Sequence, residues 1–320
     1  MTSNSTPASF DIVVIGGGAA GLSGALTLGR ARRSVLVIDA GEPRNSPAAH
    51  AHNYLGREGV APRELLAIGR EEVARYGVAV RDGRVTGAER DADGFRVHVA
   101  DGTSVTARRL LVATGLVDEL PPVPGLAERW GHDVLHCPYC HGWEVRDQAI
   151  GVLASGPLSV HQALLWRQWS EDVTLFLNDA FEPGDDDRGQ LLARGITIVA
   201  GAVGHLESKE DELTGVALAD GRVVACRALV VAPKFAARAE PLAALGLTTA
   251  EQERAGTVVG TAVGTVDPTG RTEVPGVWVA GNVTDLFDTV ATAVAAGTRA
   301  AAAINADLVA EDTRMAVEAR

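Results

Sequence analysis

The apolar run Phe10 to Ile15 is followed by Gly16-Gly17-Gly18-Ala19-Ala20-Gly21, then by a helix-forming stretch to about Arg30, then by a second apolar run, Val35 to Ile38, closed by Asp39. That order predicts strand, glycine turn, helix, strand: one right-handed βαβ unit. A degraded unit recurs, with a strand over Ala149 to Leu153, a helix over Leu158 to Trp169 and a strand over Val173 to Leu177. Alternating stretches around Gly77 to Val85 and Phe95 to Val105 predict further strands and hairpins, with Asp101-Gly102 as a turn. Asp220-Gly221 to Pro233 repeats the turn-strand pattern of Asp101-Gly102 to Thr114, and the proline-rich 120–125 reads as a linker. Two similar units in one α/β chain predict duplicated nucleotide-binding-like domains. The second, residues 116–240, is read as an insertion between 1–115 and 241–320.

The composition fits a soluble globular protein of about two domains: 320 residues, 46% hydrophobic and 22% charged, with 36 glycines for tight turns. A net charge of −12 without a long basic run argues against a nucleic-acid partner. Three cysteines exclude a disulfide-rich secreted scaffold. The polar start, Met1 to Ser9, lacks the charged and apolar regions of a signal peptide. Thr289 to Ile304 is alanine-rich but carries Arg299, so it is expected to be a buried helix and not a membrane span. A cytoplasmic protein with no membrane partner is expected.

Gly16, Gly18 and Gly21 match G-x-G-x-x-G directly after a strand and before a helix. The first glycine permits the tight turn, the second lets the backbone approach a pyrophosphate, and the third allows close helix–strand packing. The helix N-terminus then offers free N–H groups to phosphates. Asp39, 18 residues past Gly21, can accept hydrogen bonds from an adenosine ribose. The fold class is therefore α/β, with two Rossmann-like three-layer nucleotide-binding domains, the second inserted in the first. The loop alone does not separate FAD from NAD.

Cys137-Pro138-Tyr139-Cys140-His141 admits four readings. A c-type haem attachment needs export and a further axial ligand. A zinc site recruiting His136 and His141 lacks four well-spaced ligands and a second C-x-x-C pair, so no metal is expected. Two buried structural thiols are a third reading, and a redox dithiol/disulfide is the fourth. Thiolate chemistry favours the last: a C-x-x-C pair at a helix N-terminus has one thiol of depressed pKa, and the spacing closes a disulfide with little strain. His141, beside the second sulfur, can act as acid or base. Cys226, in an apolar stretch, is expected to be a buried bystander.

The segments Leu110-Leu111-Val112-Ala113-Thr114-Gly115 and Pro275 to Asn282 resemble the two further motifs of the two-dinucleotide flavoprotein reductases. Over nearly the whole chain the arrangement resembles the low-molecular-weight thioredoxin reductases: glycine loop, inserted domain with the cysteine pair, C-terminal FAD motif. Cys137-Pro138-Tyr139-Cys140-His141-Gly142-Trp143-Glu144 is more similar to the dithiol oxidases of gliotoxin and holomycin biosynthesis, which close disulfides in small natural products. The resemblance implies FAD as cofactor, a homodimer, a small-molecule dithiol as substrate and dioxygen as acceptor. It implies that Cys137 exchanges with substrate sulfur, that Cys140 faces the flavin, and that His141 stands where reductases carry an aspartate. It also implies FAD contacts at Arg44, Asn45, Asn53, Val85, Thr114, Gly115, Gly281, Asn282 and the backbone of Val290 and Ala291. Asn282 stands where an acid is common; an amide still hydrogen-bonds there but adds no charge.

The second glycine loop reads Ala154-Ser155-Gly156-Pro157-Leu158-Ser159. Ala154 replaces the tight-turn glycine, and Pro157 removes an N–H where a pyrophosphate needs donors. After the next strand come Asn178-Asp179-Ala180-Phe181-Glu182 and Asp185 to Asp187 in place of arginines for a 2′-phosphate. Carboxylates near a phosphate repel it, so NADPH binding is disfavoured, while Asp179 leaves room for an NADH ribose. Electrons are then expected to pass from a substrate dithiol through the cysteine pair and FAD to dioxygen. An NAD(P)H-dependent disulfide reductase and a non-catalytic flavin-bound redox sensor are the alternatives. His161, Trp143 and Trp166 are candidates for a pocket wall.

Overall fold

The structure is a computed structural model, and it describes residues 8–92 and 94–320. Most of the polar start read above as no signal peptide, residues 1–7, lies outside the described residues.

The first sheet holds β1 (Ser9–Ile15), β2 (Val35–Asp39), β3 (Ala79–Asp82), β4 (Val85–Asp91), β5 (Gly94–Val99) and β6 (Ser104–Val112), in the order β3-β2-β1-β6-β5-β4. β1 runs parallel to β2 and β6, and β5 antiparallel to β4 and β6. Side chains alternate across β1, as a strand requires. Ile12 and Val14 join one core with Leu28, Val73 and Ile304; Val13 and Ile15 join another with Phe95, Val97 and Leu242. The helix side of that sheet is covered by α1 (Ala19–Arg30) and α2 (Pro62–Ala74). The stretch around Gly77 to Val85 holds β3 and the start of β4, separated by Gly83 and Arg84.

The chain leaves this sheet through β7 (Leu116–Glu119). It then builds a parallel sheet of β8 (Val134–Leu135), β9 (Ile150–Leu153), β10 (Val173–Phe176), β11 (Thr197–Val199) and β15 (Ala228–Val230), ordered β11-β10-β9-β15-β8. Its helices are α3 (Pro138–His141), α4 (Leu158–Trp166) and α5 (Asp185–Ala193). An antiparallel sheet of β12 (Val203–Lys209), β13 (Glu212–Leu218) and β14 (Val223–Ala225) covers its other face. In the first unit β6 is one continuous strand serving both the hairpin and the parallel sheet. In the second unit the equivalent stretch breaks at Cys226 and Arg227, so β14 and β15 belong to different sheets. Cys226 is buried there, and burial pushes its thiol up to about 12. The helix expected to reach Trp169 stops at Trp166.

The return passes through β16 (Lys234–Ala237), which pairs antiparallel with β7 and lies in one sheet with β17 (Thr249–Arg254) and β18 (Thr257–Val263). Both crossings of the chain are thus hydrogen-bonded side by side. β19 (Val277–Val279) then rejoins the first sheet beside β6, and α6 (Val290–Glu318) packs on α1. Thr289 caps α6 reciprocally with Thr292. The expected helix reached only Ile304, yet α6 runs on to Glu318. Past Leu308 its side chains leave the core, Val309, Met315 and Val317 being exposed, and it is tied down by ion pairs from Arg108 to Glu311 and Asp312 and from Arg109 to Glu311. No helix among the described residues is long and apolar enough to cross a membrane.

Candidate functional site

A cavity of about 1270 Å³ opens between the two parallel sheets. That exceeds the roughly 300–1,000 Å³ of ordinary small-molecule pockets, leaving room for an extended dinucleotide and a second ligand. Its walls include Gly16, Gly18, Asp39, Arg44, Asn45, Asn53 and Val85 from the first 100 residues, and Thr114 and Gly115 from the end of β6. Cys137, Cys140 and His141 come from α3, and Gly281, Asn282 and Val290 from the C-terminal segment. Of the residues expected to touch a cofactor, Gly21 and Ala291 are not on its wall.

Each glycine of the first loop has its own steric reason. Gly16 has φ of +105°, and a Cβ there would lie 2.3 Å from the Ala113 carbonyl oxygen. Gly21 faces the Gly16 carbonyl, 1.9 Å from where its own Cβ would stand, so its role is helix–strand contact and not the ligand. Gly18 meets nothing within 4 Å, because it borders the cavity. It is also the N-cap of α1 and supplies no side chain to the helix's first N–H groups, which stay free for an anion. Asp39 accepts from the Gly17 N–H at 3.0 Å and from Arg70 at 2.5 Å, which fixes its carboxylate at the cavity edge. A dinucleotide fits this set: open cradle, free helix N-terminus and oriented acid.

Several cofactor candidates are occupied by the protein itself, Asn53 among them through the Tyr139 carbonyl and Glu58. Arg44 forms a two-pronged pair with Asp118 and lies 5.1 Å over the Phe235 ring. Asn282 donates through Nδ2 to the carbonyls of Asp285 and Asp288, both at 3.0 Å. Thr114 donates to the Arg238 carbonyl at 2.6 Å. Each still borders the cavity, through the atoms these bonds leave over.

Cys137 and Cys140 are joined as a disulfide, with Cα atoms 5.3 Å apart. Cys137 is the N-cap of α3 and Pro138 its first residue, a position where a missing N–H costs nothing. His141 ends this short helix. Burial lowers its pKa below the usual histidine value, Glu144 opposes that shift, and His52 adds to it. The imidazole has no hydrogen-bond partner among the described residues. His136 is also held neutral, chiefly by burial, and pairs through Nδ1 with the Val231 carbonyl at 3.0 Å.

The second glycine loop borders the same cavity at Ser155, Gly156, Leu158 and Ser159. The Ser155 N–H donates to Ser159 Oγ at 3.1 Å, the Ser159 N–H to the Gly156 carbonyl at 3.0 Å, and Pro157 has no N–H. Asp185 to Asp187 fill the first turn of α5, where the helix dipole favours carboxylates, so their charge has a local structural reason. His161 reaches the cavity wall. Trp166 is fully buried in the core, and Trp143 is exposed outside the cavity with Arg146 stacked 4.1 Å from its ring, so neither lines it. The composition and motifs did not point to His52, Glu58 or Glu144, which gather around α3.

The family model for pyridine nucleotide-disulphide oxidoreductases matches residues 10–297. Thioredoxin reductase sirT of Leptosphaeria maculans is 32% identical over 323 residues, 93% of this chain and 94% of that protein. The chain spans only 44% of the length of a probable thioredoxin reductase of Arthroderma benhamiae, 37% identical over 181 residues, and 57% of thioredoxin reductase tcpT of Claviceps purpurea, 38% identical over 183 residues. Among solved structures, that of HlmI superposes with a TM-score of 0.89 at 46% identity, covering 97% of this chain and 96% of the other. The expected architecture of a two-dinucleotide flavoprotein is borne out by these matches.

Proposed function

The chain belongs to the pyridine nucleotide-disulphide oxidoreductase family and takes FAD as its cofactor, and from this we propose that it is a dithiol oxidase acting on a small natural-product dithiol. The observation that carries the proposal is one cavity bordered by the first glycine loop, by the Cys137–Cys140 disulfide, and by a second glycine loop in which the Ser155 and Ser159 N–H groups bond within the loop and Pro157 has none.

A substrate thiolate attacks one sulfur of the Cys137–Cys140 disulfide, and we assign that exchange to Cys137. A mixed disulfide forms as the other sulfur leaves as a thiolate. The second substrate thiol then attacks the mixed disulfide, releasing a cyclic disulfide and the reduced cysteine pair. His141, neutral at pH 7, accepts the proton of the attacking thiol. Re-forming the Cys137–Cys140 bond releases two electrons and two protons, and Cys140 is the sulfur we place toward the cofactor. FAD, when bound, supplies the two-electron acceptor and the reaction with dioxygen, so that dithiol and dioxygen give disulfide and hydrogen peroxide. We place 116–240 as the inserted domain, and a cytoplasmic homodimer is the state in which the resemblance sets this chemistry.

Support for a second reading, an NAD(P)H-dependent disulfide reductase, comes from the name thioredoxin reductase carried by sirT and from Asp179 at the end of β10. The two separate in one anaerobic experiment on the purified holoprotein. Dithiothreitol should bleach the flavin absorbance, whereas NADH and NADPH should not. Bleaching by either coenzyme at a rate matching turnover replaces the oxidase with the reductase. In air, the wild type should consume one dioxygen per disulfide formed and Cys140→Ser should consume none above the buffer rate.

A further inference from the structure

α3 is only four residues long, and of its residues only Pro138 is buried. Such a turn needs support from outside to hold two sulfurs in place. On one side the Trp169 ring stands edge-on to Tyr139, with centroids 5.6 Å apart. On the other side the support comes from loop 50–60 of the first domain. Asn53 Nδ2 donates to the carbonyl of Tyr139, between the two cysteines, at 2.5 Å. Among the described residues this is the one side-chain hydrogen bond joining α3 to residues 8–115.

Asn53 is left-handed, with φ of +59°, a conformation asparagine tolerates better than most residues. Glu58 holds it so. One Glu58 oxygen accepts the Asn53 N–H at 2.8 Å, and the other contacts His52 Nδ1 at 2.6 Å. His52 Nε2 then lies 3.4 Å from Glu144, three residues beyond His141. The loop closes on itself through the Ala51–Val60 bridge and the contact of His50 Nδ1 with the Gly59 carbonyl at 3.0 Å. Nothing in this geometry is needed merely to cover a core: Glu58 is largely exposed.

We propose that His52, Asn53 and Glu58 form a clasp that positions the Cys137–Cys140 turn over the cofactor cavity and keeps Glu144 beside His141. Its role in turnover rests on the dithiol-oxidase reading above; its hold on the cysteines does not. The clasp residues act through the turn and are positioning residues. The charged and titratable groups around His52 are Glu58, Glu144, His141 and His50, whose ring lies 6.2 Å away.

The test uses holoprotein carrying Glu58→Ala, Glu58→Gln or Asn53→Asp. Gln at 58 keeps an acceptor for the Asn53 N–H, and Asp at 53 tolerates the same backbone but cannot donate to Tyr139. Two readouts are compared: kcat and KM for aerobic oxidation of dithiothreitol, and the rate at which iodoacetamide alkylates the reduced cysteine pair. Glu58→Ala and Asn53→Asp should lower kcat by about tenfold, the scale of a small misplacement of reacting groups, with KM little changed. In both, alkylation should speed up severalfold, while Glu58→Gln stays near the wild type. Wild-type alkylation rates in Glu58→Ala and Asn53→Asp overturn the clasp, and so does a Glu58→Gln variant as impaired as Glu58→Ala. Faster alkylation with unchanged kcat overturns its part in turnover. If the wild type itself oxidises no dithiol, the functional reading fails, and the alkylation rates alone still decide whether the clasp holds the turn.

Discussion

Arg44 and Asp118 meet through two parallel hydrogen bonds of 2.9 and 2.7 Å, and the guanidinium lies over Phe235. Asp118 is on β7 and Phe235 on β16, the two strands through which the chain crosses from one sheet to the other, so Arg44 ties both crossings to the first domain. The Asp118 side chain is only 8% exposed. Arg44→Ala would leave that carboxylate buried and unpaired, at a cost of about 2–3 kcal/mol once partial solvent access of the arginine is allowed for. Arg44→Lys should recover less than half of the loss, since an ammonium cannot supply the two-pronged geometry or the stacked plane. Urea unfolding of the three proteins checks this; equal midpoints would remove the pair from the account of stability.

The glycine loop separates folding from cofactor binding. Gly21→Ala would place a methyl group inside contact distance of the Gly16 carbonyl, and Gly16→Ala would add strain from its positive φ, so both should lower Tm and flavin content together. Gly18→Ala meets no protein atom and its backbone is ordinary. With flavin stripped from both it should share the wild-type Tm, yet it should purify with much less flavin, read as the ratio of visible to protein absorbance. Full flavin content in Gly18→Ala would mean the cofactor does not approach that Cα.

These glycines were legible in the sequence because each is set by sterics within a few residues or by a neighbouring strand. The alternation of Ile12, Val13, Val14 and Ile15 likewise carries the two cores on its face. The cysteine pair was legible because its spacing lets a disulfide close with little strain. The clasp was not. Asn53 and Tyr139 are 86 residues apart, and no periodicity or motif links them. Arg44 and Asn282 were readable only through resemblance, which placed them near the cofactor without revealing that their donors are used inside the protein. The break of the hairpin strand at Cys226 and Arg227 was also hidden, because a single arginine in an otherwise apolar stretch does not by itself mark a change of sheet.

Asn282 tests what its amide does in this site. Its Nδ2 group serves two carbonyls in the turn that leads into α6. Asn282→Asp removes both donors and turns an acceptor toward Asp285 and Asp288 oxygens, so it should cost about 1–3 kcal/mol and lower Tm. Placing an acid there should therefore weaken flavin retention in this chain. A variant with unchanged Tm and tighter flavin binding would show that the amide has no structural task here.

The pH dependence of cysteine-pair reduction should report His141. Burial lowers its pKa, Glu144 raises it and His52 lowers it, so the imidazole is neutral above a pKa that lies under the ordinary value of about 6.5. A base works only in its neutral form. The rate of anaerobic reduction by dithiothreitol should thus carry an acid limb that sets in only below pH 6.5. Ionisation of the thiol itself adds a separate slope at every pH in this range, and His141→Ala should keep that slope while losing the acid limb. Glu144→Gln removes the charge that favours the imidazolium, so its limb should move to lower pH. His52→Ala removes a repelling neighbour but also frees Glu144 from the clasp, so its two effects on the limb oppose each other. An acid limb that Glu144→Gln leaves in place would mean that it belongs to a group other than His141.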